Sequence, residues 1–189
     1  MTTHTVAVIV GSLRKHSFSL KIAKAFARIA PASLKLNIVT LEGLSFFNQD
    51  LEAAPPADWV KFRETIQASD AVLFVTPEYN RSIPGALKNA IDWASRPWGQ
   101  NSFHHIPAGV IGASVGAIGT AVGQQSLRAV LSFCNARQMT SPEAYIQYSP
   151  ERFRDDGEVI DETTAGFLRD FMLEFRDHVV RVLTVLPRP

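Results

Sequence analysis

Short apolar runs recur along the chain and predict the strands of one sheet. These runs are nearly unbroken rather than alternating, which is typical of strands covered by helices on both faces. The five predicted strands cover residues 6–10, 36–41, 71–76, 107–113 and 139–142. Most are separated from the next run by a segment long enough for a helical crossover, the connection that parallel strands require.

The segments between these runs carry apolar residues at helical spacing, as Ile22, Phe26 and Ile29 do in the first of them. The predicted helices cover residues 19–30, 58–69, 84–94, 120–136 and 161–186, with Asp58 capping the second. The pair Asp156-Gly157 predicts a tight turn before the last helix. Alternating strands and helices indicate βαβ units around a parallel sheet, and we predict one α/β domain over residues 1–189.

Composition and charge narrow the classes of partner. The chain has 19 Lys and Arg against 18 Asp and Glu, a net charge of +1, so binding to nucleic acid or to a membrane through bulk charge is not expected. No apolar run approaches the roughly 20 residues that span a bilayer, and no signal peptide is recognisable, so we expect a cytoplasmic protein. The single cysteine, Cys134, excludes an internal disulfide, and we expect it to be a buried structural thiol.

The loop after the first strand has the composition of a phosphate site. Gly11 permits a sharp exit from the strand, Ser12, Ser17 and Ser19 supply hydroxyl groups, and Arg14 supplies a planar set of donors. The free amides at the start of the following helix also favour an anion. The alternative is a simple N-capped loop with exposed basic residues.

The loop after the third strand is rigid and carries an aromatic ring. Its sequence includes Pro77, Glu78, Tyr79 and Asn80, and a second proline follows at position 84. Such a loop could present backbone amides to a flat heteroaromatic molecule while Tyr79 covers the edge of that molecule. A rigid turn that only begins the next helix is the alternative.

Small residues dominate the loop after the fourth strand, which includes Ser114, Val115 and Gly116. They would let the backbone approach a flat ligand closely, although tight packing between helix and sheet explains them equally well. Because parallel strands present their carboxyl ends at one edge, all three loops are expected together. Their combined contacts predict a mononucleotide site.

Three motifs in these segments resemble the NADPH-dependent FMN reductase family, specifically its bacterial quinone and chromate reductase branch. They are Gly-Ser-Leu-Arg-Lys-x-Ser-Phe at 11–18, Pro-Glu-Tyr-Asn at 77–80 and Pro-Gly-x-Leu-Lys-Asn-Ala-Ile-Asp-Trp at 84–93. The resemblance implies a flavodoxin-like three-layer sandwich, a five-stranded parallel sheet of order 2-1-3-4-5 with helices on both faces. It also implies bound FMN, NADPH or NADH as electron donor, a homodimer or homotetramer, and small acceptors such as quinones, azo compounds, chromate or free flavin.

The resemblance also implies roles for individual residues. Arg14, Ser17 and Ser19 would hold the FMN phosphate, the 77–80 loop would border the isoalloxazine ring, and residues 114–116 would line its other side. The full predicted cofactor site is Gly11, Ser12, Arg14, Ser17, Phe18, Ser19, Pro77, Glu78, Tyr79, Asn80, Ile83, Ser114, Val115 and Gly116. The chain departs from the family at Ser19, where Asn is common, and at Arg81, where Tyr is frequent. Arg81 and Tyr79 are expected to contact the acceptor.

The chemistry is expected to centre on the flavin, with no side chain as a covalent catalyst and no metal. The adjacent pair His104 and His105 lacks a third spaced ligand and indicates a solvated loop rather than a metal site. Trp93, Trp98 and Phe103 either pack against the third helix or cover the flavin of a neighbouring subunit. The other functions compatible with the sequence are a flavodoxin-type electron carrier, which its balanced charge disfavours, and a regulatory protein that has lost its cofactor.

Overall fold

A computed structural model describes residues 2–187. Its strands are β1 (His4–Val10), β2 (Leu34–Val39), β3 (Ala71–Thr76), β4 (Pro107–Ser114), β5 (Arg137–Gln138) and β6 (Tyr145–Gln147). All of them pair in parallel in one sheet of order β2-β1-β3-β4-β5, and β6 also pairs with β4. This is the flavodoxin-like order 2-1-3-4-5. The predicted fold class is confirmed.

The fifth position of the sheet is divided between two short strands. β5 pairs with the beginning of β4, where Pro107 lies opposite Arg137, and β6 pairs with its end, where Gly112 lies opposite Tyr145. The prediction of a single strand over residues 139–142 is therefore wrong. Pro142 has no amide hydrogen to donate to a ladder, and the chain leaves the edge of β4 between the two strands.

Five α-helices connect the strands: α1 (Phe18–Ile29), α2 (Ala57–Gln67), α3 (Gly85–Ala94), α4 (Ala121–Phe133) and α5 (Glu162–Val185). The predicted cap at Asp58 is wrong, because Pro56 occupies the N-cap and Asp58 lies in the first turn, where its carboxylate accepts from the Ser45 amide. The predicted turn at Asp156-Gly157 is present, with Gly157 at φ 91°. No helix within residues 2–187 is both long and apolar enough to cross a membrane.

Apolar cores lie on both faces of the sheet. Val6, Val8 and Val10 of β1 belong to the core under α1 and α5, whereas Ala7 and Ile9 belong to the core under α2, α3 and α4. Both sets are almost completely buried. The unbroken apolar run in the sequence follows from this two-sided burial, which stabilises the fold by about 1.5–3 kcal/mol for each large aliphatic side chain.

The register of the sheet brings the three predicted loops to one edge. Val10 at the end of β1 lies opposite Val75, and Thr76 at the end of β3 lies opposite Gly112 in β4. Because these three strands are adjacent and parallel, the segments that follow them leave the sheet side by side. The amino ends of α1, α3 and α4 are therefore neighbours.

Candidate functional site

All three loops contribute to a single cleft of about 140 Å³ at the carboxyl edge of the sheet. Its lining consists of Ser12, Arg14, Ser17, Phe18, Ser19, Pro77, Glu78, Tyr79, Ala113, Ser114 and Val115. A second hollow of about 340 Å³ adjoins it and shares Arg14 and Tyr79. That hollow is completed by Gly11, Leu13, Pro84, Gly85 and Ala86. The predicted convergence of the loops is thus present in the structure.

Three buried serines form the floor of the first loop. The Ser17 hydroxyl caps α1 by accepting from the Leu20 amide at 3.1 Å, and the Ser12 hydroxyl accepts from the Arg14 amide at 3.3 Å. Ser19 Oγ is buried and has no hydrogen-bond partner among the described residues. A buried hydroxyl without a partner costs free energy, and because Ser19 lines the cleft, its Oγ is placed where it could bind a ligand atom.

Backbone amides add to this polar floor. The first four amides of a helix have no acceptor within the helix. In α1, those of Leu20 and Lys21 donate to Ser17, which leaves those of Phe18 and Ser19 without an acceptor among residues 2–187. Unpaired amides and the helix dipole together favour an anion at this point.

Arg14 places a positive charge beside the same floor. Its guanidinium carbon lies 5.3 Å from the centre of the Phe18 ring. Among the residues that the structure describes, the Arg14 side chain forms no ion pair and no hydrogen bond, so its donors are free to bind phosphate. We call the segment from Gly11 to Ser19, with these groups, the cradle.

The second loop is stabilised by its own hydrogen bonds. The amides of Tyr79 and Ser82 donate to each other's carbonyl groups at 2.9 and 3.0 Å, and the two residues between them, Asn80 and Arg81, have φ of 52° and 64°. Positive φ at both central positions is typical of a type I′ turn. The Tyr79 amide is therefore committed to the turn, while the Tyr79 ring stays 45% exposed between the two hollows.

Glu78 joins this loop to α4. Its Oε2 accepts from the Gly123 amide in the first turn of α4 at 2.9 Å, and its Oε1 lies 3.3 Å from Nη1 of Arg81. The N-cap residue of that helix, Thr120, forms no side-chain cap. The Glu78 carboxylate thus acts as a distant cap, and its negative charge complements the positive end of the helix dipole.

Small residues in the third loop lie in two different settings. Ser114 and Val115 line the cleft, as predicted for ligand contact. At Gly112 and Gly119 the reason is packing: a Cβ on Gly112 would collide with the Thr76 carbonyl oxygen, and one on Gly119 would lie 2.7 Å from the carbonyl carbon of Tyr145. The packing interpretation is confirmed at Gly112 and Gly119, whereas ligand contact at Ser114 and Val115 stays a prediction.

Sequence comparison identifies the family. The sequence model for NADPH-dependent FMN reductases matches residues 4–151. The chain belongs to this family. It is accordingly an NAD(P)H-dependent oxidoreductase with FMN as its cofactor.

Individual relatives of this FMN reductase are similar over nearly its whole length. A quinone reductase from Pseudomonas putida is 48% identical over 177 residues, 93% of this chain and 95% of the relative. A 2-hydroxy-1,4-benzoquinone reductase from Burkholderia sp is 44% identical over 167 residues, 88% and 91% of the two chains. The solved structure of FerB, a flavoenzyme NAD(P)H:(acceptor) oxidoreductase from Paracoccus denitrificans, has a TM-score of 0.91 and 46% identity, covering 95% and 98% of the two chains.

The residues of the cradle fit the phosphate end of FMN. A phosphate monoester carries a charge of about −1.5 to −2 near neutral pH and accepts several hydrogen bonds. Ser19 Oγ, the two unpaired amides and the Arg14 guanidinium are donors of the required kind, and they line or adjoin one cleft. The unpartnered hydroxyl of Ser19 is the structural sign of this fit.

Several predicted residues of this FMN reductase lie outside the lining of both hollows. Asn80 and Arg81 form the tip of the turn, Gly116 lies further along its loop, and Ile83 is half-buried against the core under α2, α3 and α4. Conversely, Leu13, Ala113, Pro84, Gly85 and Ala86 line the hollows without having been predicted as site residues. Four of them lie inside the motifs at 11–18 and 84–93, and Ala113 ends the predicted fourth strand, so including every residue of these segments would have found them.

The 93–105 region of the FMN reductase divides into core and surface. Trp93 and Phe103 are buried in the core, with Trp93 stacked on Trp59 at 4.9 Å, whereas Trp98 is 81% exposed. His104 and His105 stack on each other at 4.0 Å. Within the described ranges no group of three possible metal ligands occurs.

Cys134 in this FMN reductase is buried at the end of α4, as expected from its apolar neighbours. Burial raises the pKa of its thiol, which keeps it protonated at neutral pH and disfavours reaction as a nucleophile.

Proposed function

We propose that this FMN reductase is an NAD(P)H:quinone oxidoreductase, which passes electrons from NAD(P)H to quinones by way of FMN held in the cleft. The names of the relatives in Pseudomonas putida and Burkholderia sp support a quinone as the acceptor. The observation that carries the proposal is the convergence of the three loops on one cleft that has a polar floor and an aromatic wall. Azo compounds, chromate and free flavin are proposed as secondary acceptors.

The protein binds and orients FMN, the electron donor and the acceptor, while FMN supplies the hydride and electron transfer. We propose that the cradle binds the phosphate through Arg14, Ser17 and Ser19, with Gly11, Ser12 and Phe18 shaping it. The ring of the flavin is proposed to lie between the second and third loops. Its neighbours there are Pro77, Glu78, Tyr79, Asn80, Ile83, Ser114, Val115 and Gly116. No side chain is assigned covalent catalysis.

An apolar rim supports a flat acceptor. Leu13, Tyr79 and Val115 are 51%, 45% and 66% exposed, and all three line one of the two hollows. Apolar and aromatic side chains beside a ligand site favour a planar, weakly charged molecule. Arg81, at the nearby turn, is proposed to attract acceptor oxygens, because among residues 2–187 its exposed guanidinium is held only by the ion pair with Glu78.

We also propose that the protein is a homodimer or homotetramer and that it acts in the cytoplasm, where NAD(P)H is available. Ile118 and Val122 extend the exposed apolar surface beyond Val115, and such patches commonly form interfaces. Light scattering on a size-exclusion column tests this assembly directly. A monomer at micromolar concentration would contradict it.

Steady-state turnover of an acceptor panel tests the catalytic proposal. Purified protein is first reconstituted with FMN, and flavin content per chain is measured by absorbance. NADH and NADPH are then compared with a simple quinone, an azo dye, chromate and free flavin. We expect the highest kcat/KM with the quinone. Flavin that NAD(P)H does not bleach would instead indicate an electron carrier, and a chain that cannot be loaded with FMN would overturn the proposal.

A further inference from the structure

Three aromatic rings stack in series behind the cradle. The Phe18 and Tyr148 ring centres are 3.9 Å apart with an interplanar angle of 19°, and those of Tyr148 and Phe153 are 5.5 Å apart at 16°. We call these residues the aromatic stack. It begins in α1 beside the phosphate floor and ends in the hairpin at 149–160, beyond the family match that stops at residue 151.

Lys21 and Asp155 restrain Tyr148, the middle ring of the stack. Lys21 Nζ donates to the Tyr148 hydroxyl at 2.9 Å and to the Asp155 carboxylate at 2.6 Å, and it also lies 5.3 Å from the centre of the Tyr148 ring. The Asp155 and Tyr148 partners raise the pKa of Lys21, and Lys21 in turn lowers the pKa of Asp155. The pair is therefore charged near neutral pH, and the 2.9 Å hydrogen bond from Lys21 together with the burial of Tyr148 restrains the Tyr148 ring.

Arg14 occupies the other end of the stack. Its guanidinium carbon lies over the Phe18 ring, 5.3 Å from the ring centre, and Tyr148 stacks on the same ring at 3.9 Å. Stacking engages the face of a guanidinium and leaves its in-plane N–H donors free, whereas an ion pair with a carboxylate would occupy them. The stack can thus orient Arg14 without reducing its capacity to bind phosphate.

An exposed arginine otherwise loses rotamer entropy when a ligand orders it. Ordering part of that side chain in advance reduces the cost at the moment of binding. We propose that Tyr148, fixed by Lys21 and backed by Phe153, is a positioning residue that preorganises Arg14 for the FMN phosphate by way of Phe18. This inference rests on the proposed function, because it assumes that the cradle holds that phosphate.

Core packing alone makes a different prediction. Tyr148 and Phe153 are only 5% and 2% exposed, so truncating either is expected to reduce stability whatever the role of the stack. A packing role would not distinguish between flavins with and without a phosphate. Riboflavin has the same ring system as FMN but no phosphate, so the ratio of the two affinities isolates the effect of Arg14.

The test is a double-mutant cycle on flavin affinity. Dissociation constants of FMN and riboflavin are measured by flavin fluorescence on the apoprotein for wild type, Tyr148→Leu, Arg14→Gln and the double variant. We expect Tyr148→Leu to weaken FMN binding about threefold to fivefold and to leave riboflavin binding unchanged. In the Arg14→Gln background, the Tyr148 substitution should have no effect on the affinity ratio.

Two further variants keep the test decisive. Phe26→Leu disrupts a second stacked pair on α1, with Phe171 at 5.8 Å and 19°, which does not include Arg14; it should reduce stability without changing the ratio. Tyr148→Phe retains the ring but loses the Lys21 hydrogen bond, and it replaces the leucine variant if that one does not fold. We expect a smaller change of the same sign.

Equal weakening of FMN and riboflavin by Tyr148→Leu, or an unchanged effect in the Arg14→Gln background, would overturn the positioning role. Wild-type protein that binds neither flavin would overturn the proposed function itself. Wild-type protein that binds both equally would overturn the phosphate assignment of the cradle, and with it this inference.

Discussion

The cradle and the second loop lie side by side at the same edge of the sheet, yet they differ in whether their polar groups form hydrogen bonds within the protein. The cradle leaves Ser19 Oγ buried without a partner among the described residues and the Arg14 donors free. The second loop pairs its own groups, since Tyr79 and Ser82 bond to each other and Glu78 bonds to Gly123.

This difference separates a site for a resident group from a site for passing molecules. Unpaired buried donors are costly until a ligand completes them, so they favour tight and continuous occupation. A loop that satisfies its own hydrogen bonds keeps its shape whether or not a ligand is present, and it exposes apolar surface to successive partners. Under the proposed function, the cradle would retain the phosphate of FMN, and the rim would exchange donor and acceptor.

The largest effect on stability is expected from Gly119, in the third loop. Gly119 has φ of 63° and no room for a Cβ against Tyr145, so Gly119→Ala should lower the free energy of unfolding by about 2–4 kcal/mol. Gly116→Ala is the matched control, because its Cβ would meet nothing closer than Ser114 Oγ at 3.6 Å. Urea unfolding measures both, and equal stability of the two variants would refute the packing explanation.

Ser19→Ala should change FMN affinity and apoprotein stability in opposite directions. Loss of the hydroxyl is expected to weaken FMN binding about tenfold, the effect of one hydrogen bond to a charged group. The free energy of unfolding of the apoprotein should rise by about 1 kcal/mol, because an unpaired buried group is removed. Flavin titration tests the expected loss of FMN affinity, and thermal unfolding of the apoprotein tests the expected gain in stability.

Ser12→Ala provides the contrast, because the Ser12 hydroxyl already accepts from the Arg14 amide, and its loss should destabilise the apoprotein. A Ser19→Ala apoprotein less stable than wild type would show that the cradle does not store an unmet hydrogen bond. The comparison between the two loops would then fail.

Glu78 tests whether the second loop is indeed self-supporting. Glu78→Ala leaves the Gly123 amide without its acceptor and removes a charge from the amino end of α4, so stability should fall by about 1–2 kcal/mol. Glu78→Gln keeps an acceptor and should cost about half as much. The ratio of FMN to riboflavin affinity should not change in either variant. Denaturant unfolding that gives an unchanged free energy for Glu78→Ala would remove the capping role.

The smallest effect on stability is expected from the pH dependence of the ion pair between Lys21 and Asp155. Lys21 lowers the pKa of Asp155 below its value in the unfolded chain, about 3.9. A carboxyl shifted in this direction stabilises the fold fully above the unfolded pKa and loses that contribution as pH falls through the folded pKa. Asp155→Asn should therefore be less stable than wild type at pH 7, and the difference should disappear in acid. A stability difference that does not decrease as the pH is lowered would argue against the ion pair.

Much of the site could be predicted because its elements are local in sequence. Ser17 caps the helix that begins one residue later, and the Leu20 amide that it accepts is only three positions away. β3 was predicted at its observed bounds, Ala71–Thr76, because burial on both faces leaves a continuous apolar run. The roles of these residues and the sheet order came from the resemblance to a family, which the comparison with known proteins confirms at the level of fold and family.

The sequence by itself determined the βαβ pattern, the three loops and the residue types that a phosphate requires, because these depend on periodicity and on neighbours a few positions apart. Only the tertiary structure decided that Glu78 caps a helix 45 residues away, that Lys21 fixes Tyr148 across 127 residues, and that the last strand is divided. These contacts form between residues that come close only after the sheet and helices have packed. No local sequence pattern predicts them, since many polar and aromatic residues with the same neighbours face solvent or the core instead.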